Sequence, residues 1–423
     1  MSIENKNVSK EKRDVISRFR NHVSSGKADF FQTLGMDLVM GERQGMYLAD
    51  MDGQKKLFNL HCNGGVYNLG HRNPELIEIL KGGLDRFDIG NGHLMSRMRA
   101  ELAEQLASLM PADLDYTVFG VSGGEAVDLA IKVARGYTGR EKIISAKGGY
   151  HGHTGLALAA GDRRYREPFR ISAAGFEQVP FGDVAGLQSN IGEDTAAVIL
   201  ETIPATLGMV MPPLDYLAAV RDLCTRTGAI FIIDEVQTGL GRTGRLWGFE
   251  HYDVVPDMVV LGKGLSGGIY PITATVLRTP LEQVFHEDPF IHVSTFGGAE
   301  IGCCVAGRVL EISAEPAFLN HVNTLAVDFR ECADRLKEKY GDFVIGFRQL
   351  GLMMGLVFKG EISGQVVSKT AYDNDLLMVY ANNDPSVCQL LPPLTMNRNE
   401  MDWVAERLDR AVAQARAFVL GGK

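Results

Sequence analysis

A chain of 423 residues is long enough for a large core and two domains, and its makeup, 45% hydrophobic and 22% charged, is that of an ordinary soluble globular protein. The formal net charge of −9, with no dense block of Lys or Arg, argues against binding to nucleic acid or an anionic membrane and leaves small-molecule chemistry as the expectation. Six scattered cysteines without Cys-x-x-Cys spacing, a charged N-terminal stretch (MSIENKNVSKEKRDVISRFR) and no apolar run near the ~18 residues of a membrane span argue against disulfides, export and membrane insertion, so a cytoplasmic protein is expected.

In chain order, Glu11 to Val23 predicts a helix. Met46 to Asp50 and Lys56 to Leu60 flank Asp52-Gly53 and read as a hairpin, because Asp-Gly is a strong turn signal between apolar runs. HCNGGVYNLGHRNPELIEIL is a glycine-rich loop leading into a helix with Pro74 near its start, and His61, Asn63 and Tyr67 give that loop the polar groups of a binding-site wall. Ala100 to Leu109 is an amphipathic helix and Tyr116 to Val121 a strand. In SGGEAVDLAIKVARGYTG the residues Val127, Ala130, Ile131 and Ala134 recur at helical spacing, so a helix starts near Ser122. Ser122 and Glu125 form an S-x-x-E capping box, which is a sufficient structural reason for both. With Gly123 and Gly124 the same turn also offers free N–H groups and a positive dipole end to an anion, and this segment alone leaves both readings open.

Lys142 to Ala146 is a further strand, leading to GGYHGHTGLALAA. His151 and His153 sit at alternate positions with no other ligand at usual spacing, so no metal is expected, whereas Tyr150 in a glycine loop at a strand end is placed to cover a planar ring. Ala196 to Leu200 is a buried strand ending in Glu201, and Leu217 to Thr225 a helix. The β-branched run Ala229 to Ile233 then ends on Asp234, and Met258 to Leu261 is followed by Lys263. Ligands of open α/β sheets sit beyond the carboxyl ends of parallel strands, so this carboxylate and this amine are expected to face one ligand.

Between them, GLGRTG matches the dinucleotide pattern G-x-G-x-x-G, but it neither follows a strand directly nor opens a helix, and NAD binding is not expected. Strands alternating with helices over Tyr116 to Leu277 predict a mostly parallel, wound sheet. Downstream, HVSTFGG places Ser294 and Thr295 before a Gly-Gly turn, a second candidate anion contact. From about Leu310 the texture changes: a long helix Val322 to Tyr340, short strands Phe343 to Arg348 and Met353 to Phe358, and a final helix Asn399 to Phe418. This reads as an α+β domain that the N-terminal hairpin joins, giving residues 1–60 and 310–423 to a small domain and 61–309 to a large one.

DEVQTGLGRTGRLWGFEHYDVVPDMVVLGKGLSGG, with SGGEAVDLAIKVAR, YHG and HVSTFGG around it, resembles the class III aminotransferases, the ornithine/ω-amino-acid branch of the fold type I pyridoxal-phosphate enzymes. The resemblance runs from about Gly45 to Leu394, and the order and spacing of the four motifs carry it. It implies an α/β fold with a large domain on a mostly parallel, seven-stranded sheet, and pyridoxal 5'-phosphate as cofactor. Lys263 matches the Schiff-base lysine, which also carries the substrate Cα proton. Asp234 matches the carboxylate that keeps the pyridine nitrogen protonated, so that the ring is an electron sink. Gln237 corresponds to the contact near the ring hydroxyl, Tyr150 to the aromatic over the ring face with His151 beside it, and Ser122, Gly123 and Gly124 to the phosphate cup. Glu201 matches the glutamate that opens E-P-x-x-G-x-G-G. Thr295 matches a residue that reaches the phosphate of the neighbouring subunit, which implies a homodimer with its sites at the interface. Each residue also has an ordinary reading: Asp234 as a loop or capping acid, Gln237 and Thr295 as polar turn residues.

Two departures bear on the substrate. The family's E-P-x-x-G-E-G-G is here ETIPATLG, with Thr206 in place of the second glutamate, and the arginine that usually precedes the LPPL segment is Gln389. In the family that arginine grips the substrate α-carboxylate and the glutamate neutralises it; a neutral Gln cannot supply the charge of a bidentate Arg contact. His61, Asn63, Thr206 and Gln389 are the candidate substrate-pocket residues, Arg163, Arg164 and Arg166 candidate replacement cations, and Arg348 is read as structural. The expected reaction is amino-group transfer between an amine or amino-acid donor and a keto or aldehyde acceptor. The same chemistry leaves racemisation, epimerisation, aminomutation and decarboxylation as alternatives.

Overall fold

Seven strands form the central sheet: β1 (Leu114–Gly120), β2 (Lys142–Ala146), β3 (Phe176–Val179), β4 (Thr195–Glu201), β5 (Ile230–Asp234), β6 (Met258–Leu261) and β7 (Thr273–Arg278). Their spatial order is β1-β7-β6-β5-β4-β2-β3, and every strand runs parallel to the others except β7, which is antiparallel to both β1 and β6. The expected mostly parallel, wound sheet is therefore present. Strands β4, β5 and β6 are buried along their whole length, which explains why their sequences are continuous apolar runs rather than alternating ones: helices cover both faces. The computed structural model describes residues 8–421; residues 1–7 and 422–423, the outermost parts of the two end segments, lie outside the described residues.

Two smaller sheets flank the central one. Met40–Gln44, Tyr47–Asp50 and Lys56–Asn59 form an antiparallel set whose outer edge takes Leu376–Leu377 as a parallel partner, and Val344–Leu350, Met353–Phe358, Asp384–Leu390 and Val379–Ala381 form the other. Met46, Phe58 and Leu60 share one apolar cluster with Val322, Phe329, Leu356, Val404 and Leu408, so the first strands pack among residues of the last hundred. The hairpin turn is wider than the two residues expected, because the Asp50 carboxylate caps it from inside. It accepts from the amides of Met51 at 2.8 Å and Val39 at 3.2 Å and is ion-paired with buried Lys12. Among the described residues no helix is long and apolar enough to cross a membrane.

Candidate active site

Strand β1 hands the chain to the helix Gly123–Thr138 through Ser122, whose hydroxyl accepts a hydrogen bond from the Glu125 amide at 3.2 Å. The expected reciprocal box is displaced by one residue, since the Glu125 carboxylate accepts from the amide of Val121 at 2.7 Å. First-turn amides such as those of Gly123 and Gly124 have no carbonyl within the helix to bond, and the dipole adds positive potential at the same end. Gly124 and Gly152 are required by crowding. A Cβ on Gly124 would lie 2.7 Å from Thr154 Oγ1, and one on Gly152 2.6 Å from Gly124 Cα, so this turn and the loop after β2 meet backbone to backbone.

Glu201 and Asp234 are register partners at the carboxyl ends of β4 and β5, and paired residues of adjacent strands point to the same side. Each fixes one residue of the loop after β2. Glu201 Oε1 accepts from the Tyr150 amide at 2.9 Å, while Asp234 Oδ2 lies 2.9 Å from His151 Nδ1 and Asp234 Oδ1 accepts from the Val236 amide at 3.1 Å. Burial alone would lower the His151 pKa, but the bond to Asp234 and the charges of Asp234 and Glu201 raise it above its ordinary value. Its Nε2 is buried without a partner among the described residues. Burial, with Asp234 adding to it, pushes Glu201 up to about 7.

Lys263 follows β6 with φ of 42°, a left-handed conformation that non-glycine residues rarely adopt. Strain of this kind costs about 1–3 kcal/mol and collects where function demands a particular aim. Burial lowers the lysine pKa, opposed by the charges of Asp234 and Glu201. The glycine-rich loop closes over its side chain. A Cβ on Gly64 would stand 3.2 Å from Lys263 Cε and 3.3 Å from Gln237 Nε2, so only glycine lets that loop approach.

These pieces enclose a cavity of about 370 Å³. Of the residues selected from sequence, Ser122, Gly123, Gly124, Tyr150, His151, Glu201, Asp234, Gln237 and Lys263 all line it. The family described as aminotransferase class-III matches residues 32–412. An uncharacterized aminotransferase of Archaeoglobus fulgidus is 54% identical over 401 residues, which are 95% of this chain and 94% of the relative.

The chain is a class-III aminotransferase.

Solved structures with the same fold include the ornithine aminotransferase of Toxoplasma gondii ME49, with a TM-score of 0.88, 24% identity and coverage of 98% of this chain and 97% of that one. A transaminase from the marine bacterium Virgibacillus has a TM-score of 0.89 at 24% identity, covering 96% of this chain and 100% of the other.

Class-III aminotransferases depend on pyridoxal 5'-phosphate, and the residues of this aminotransferase fit that group. The cavity has an anion-attracting helix end, a buried carboxylate held by two donors, a buried amine, an aromatic wall and an imidazole nitrogen without a partner. Among the described residues no cluster of side chains is arranged to hold a metal ion, His151 and His153 included.

Five selected residues are not on the cavity wall. Thr295 is exposed on the surface. His61 stands near Lys263; burial, then the charges of Lys263 and Arg242, press its pKa down to about 4. Asn63 is exposed in a left-handed turn with φ of 51°. Gln389 is buried in the strand Asp384–Leu390. Thr206 turns its hydroxyl away to the Gly148 carbonyl at 2.8 Å. Of the candidate cations, Arg163 pairs with Glu167 at the surface and Arg164 donates to the Asn382 carbonyl, while Arg166 keeps a buried Nε with no partner among the described residues. Arg348 is structural as read, donating to the Gly208 carbonyl at 2.5 Å and facing Asp384 at 3.6 Å.

Sequence reasoning missed His153, Thr154, Ile203, Val236 and Thr238 on the wall, and it gave no role to Glu235. Glu235, the first residue after the strand, has partners quite different from those of Asp234. Fully buried, it accepts from Thr202 and from the amides of Gly248 at 2.7 Å and Phe249 at 3.2 Å. The GLGRTG glycines are explained by packing: a Cβ on Gly241 would crowd Phe318 and Leu319, and one on Gly244 would lie 2.1 Å from Asn323 Oδ1. Arg242, wholly buried, donates to the carbonyls of Leu352 at 3.2 Å and Pro392 at 2.7 Å and to Asn68 Oδ1 at 2.6 Å.

The raised Glu201 pKa makes stability depend on pH with a definite sign. Its ordinary value is 4.5 and its folded value about 7, so between those limits the folded chain holds a proton that the unfolded chain has released. Stability from this group is full below pH 4.5, falls as pH rises towards 7, and then levels off, for a total on the order of 3 kcal/mol. Glu201→Gln keeps an oxygen for the Tyr150 amide and removes the titration. The expected result is a flatter stability curve for the variant across pH 4.5 to 7.5 in urea denaturation of the cofactor-free protein; parallel curves for the two proteins would refute it.

Proposed function

We propose that this class-III aminotransferase holds its cofactor covalently through Lys263, with Asp234 against the pyridine nitrogen, Gln237 near the ring hydroxyl, Tyr150 over the ring face, and Ser122, Gly123 and Gly124 around the phosphate. The observation that carries this reading is the meeting of a buried amine, a buried carboxylate and a helix N-terminus in one cavity. When bound, the cofactor supplies an electron sink for the pair left on the substrate carbon after proton loss. The chain's own residues do the rest. Asp234, oriented by the Val236 amide and His151, holds a proton at the pyridine nitrogen. Lys263, with its pKa lowered by burial, takes a proton on Nζ and returns it to a neighbouring carbon.

Residues 61–309 form the cofactor domain in this reading, and both chain ends form the smaller one. The active unit is a homodimer: Leu94, Met95, Phe290, Ile291, Val293 and Phe296 are exposed apolar residues flanking exposed Thr295, which then contacts the cofactor phosphate of the second copy. Six free thiols support a reducing, cytoplasmic setting. With Gln389 where the family's carboxylate-binding arginine stands, the favoured donor is an amine, an amino sugar, or an amino acid gripped at another point.

The test is the half-reaction. Single amine donors are mixed with the yellow enzyme, and one class is expected to bleach the visible band stably with release of the matching carbonyl product. Entry of solvent deuterium at the donor carbon without bleaching or carbonyl release would instead show an isomerising enzyme. A sedimenting mass near 46.2 kDa, that of one chain, would remove the dimer.

A further inference from the structure

The segment Lys147 to His151 carries Tyr150 and His151 into the cavity, and its anchorage is unevenly distributed. Lys147 N bonds to the Val179 carbonyl at 2.8 Å, Asp162 N to the Gly149 carbonyl at 3.0 Å, and Tyr150 N to Glu201 at 2.9 Å, all within the layers around the central sheet. The Gly148 carbonyl is different. It accepts two side-chain donors, Thr206 Oγ1 at 2.8 Å and Asn383 Nδ2 at 2.9 Å. Asn383 is in the turn between the strands Val379–Ala381 and Asp384–Leu390, and its own amide bonds to the Thr206 carbonyl at 2.9 Å. Three residues from three parts of the chain thus close a small ring of hydrogen bonds.

Gly148 is buried with φ of +77°, and a Cβ there would lie 2.3 Å from Leu207 Cδ2, so the loop is pressed against the segment that bears Thr206. The same seam is fastened on either side. Arg164 donates to the Asn382 carbonyl, and Arg348 ties the Gly208 carbonyl to Asp384. The Thr206 hydroxyl is committed to a backbone oxygen two residues before Tyr150.

We infer that Thr206 and Asn383 are positioning residues that together grip the Gly148 carbonyl and thereby set the Tyr150 ring, linking the C-terminal sheet to the face of the cofactor. The inference rests on the reading of Tyr150 as the ring-face aromatic. Its energetic form follows from the shared acceptor. Losing one donor leaves the carbonyl satisfied by the other, whereas losing both leaves a buried acceptor with none, which is the costly case. The two substitutions therefore couple more than additively.

The test uses full-length Thr206→Val, Asn383→Ala, the double variant, and Thr206→Ser in the Asn383→Ala background. Hydrogen exchange of residues 147–151 is followed in the cofactor-free protein, and cofactor affinity and the induced visible circular dichroism are measured on reloading. Each single change is expected to weaken cofactor binding about threefold and the double about thirtyfold or more, beyond the product of the singles. Exchange in 147–151 rises sharply in the Thr206→Val/Asn383→Ala double variant alone, and Thr206→Ser in the Asn383→Ala background behaves like Asn383→Ala by itself, because serine keeps the hydroxyl that bonds the Gly148 carbonyl. Unaltered exchange in the double variant, or a double effect no larger than the product, overturns the grip. Rapid exchange with unchanged affinity and dichroism shows that the grip holds the loop but does not set the ring, and overturns the inference. In that event Tyr150→Leu locates the fault: dichroism also unchanged there removes the ring-face reading of Tyr150 itself.

Discussion

Replacing Lys263 with alanine is expected to lower the transamination rate by about 10⁴-fold or more, because in the proposed reading one side chain supplies two functions. Proton transfer by a positioned base is worth about 10²–10⁴-fold alone, and the covalent anchor is lost with it. The fold survives, since the Lys263 side chain makes no hydrogen bond or ion pair among the described residues and its strained backbone is set by the turn around it rather than by its side chain. Alanine removes an amine that burial disfavours in its charged form, so thermal stability of the cofactor-free protein holds or rises slightly. Two measurements check this. Borohydride fixes the visible chromophore to the wild-type chain and leaves the variant's cofactor removable by dialysis, and small primary amines restore part of the proton transfer in the variant. Retention of activity within tenfold of wild type would displace Lys263 from the centre of the mechanism.

Asp234→Asn is expected to lower the rate by about 10²–10³-fold, the usual loss when one preorganised charge is removed from a reacting site. The substitution is nearly isosteric. Its amide oxygen still accepts from the Val236 amide, and its NH₂ still meets His151 Nδ1 when the imidazole is neutral, so the global fold is retained. What disappears is the negative charge. His151 loses the partner that raises its pKa, and Lys263 loses one of the two charges opposing the effect of burial, so the acid limb of the pH–rate profile moves to lower pH. A rate within a factor of five of wild type, with an unmoved profile, would show that Asp234 acts only as a tether for His151.

Much of this site was legible in the sequence because strand physics made its key residues conspicuous. Asp234 and Lys263 stand where apolar, β-branched runs stop, and Glu201 repeats the pattern one strand over; charged residues in those places have no packing reason to be there. Ser122 announced a helix start by its capping chemistry. Residues whose role depends on contacts across the fold gave no such signal. Gly124 is small because Thr154 crowds it and Gly152 because the Gly124 backbone does, and His153 and Ile203 face the cavity from turns without a period. Glu235 was hidden beside Asp234, and only its tertiary partners, Thr202 and the amides of Gly248 and Phe249, separate the two. Thr206 stands out in the sequence as a departure from the family pattern, yet the partner of its hydroxyl, a glycine carbonyl in a distant loop, is a fact of tertiary structure.

The parallel pairing of Leu376–Leu377 with Phe58–Asn59 has a consequence for how the chain comes into being. The hairpin emerges early in synthesis, but its outer edge and the apolar side of Phe58 find their partners only when the end of the chain has been made. Until then an unpaired strand edge stands open, the kind of surface on which nascent chains associate wrongly. Closing a contact between residues as far apart as Phe58 and Leu376 is also slow. Maturation of this protein thus waits on its last segments, and the central sheet, whose strands are all made before them, is the natural first unit to assemble.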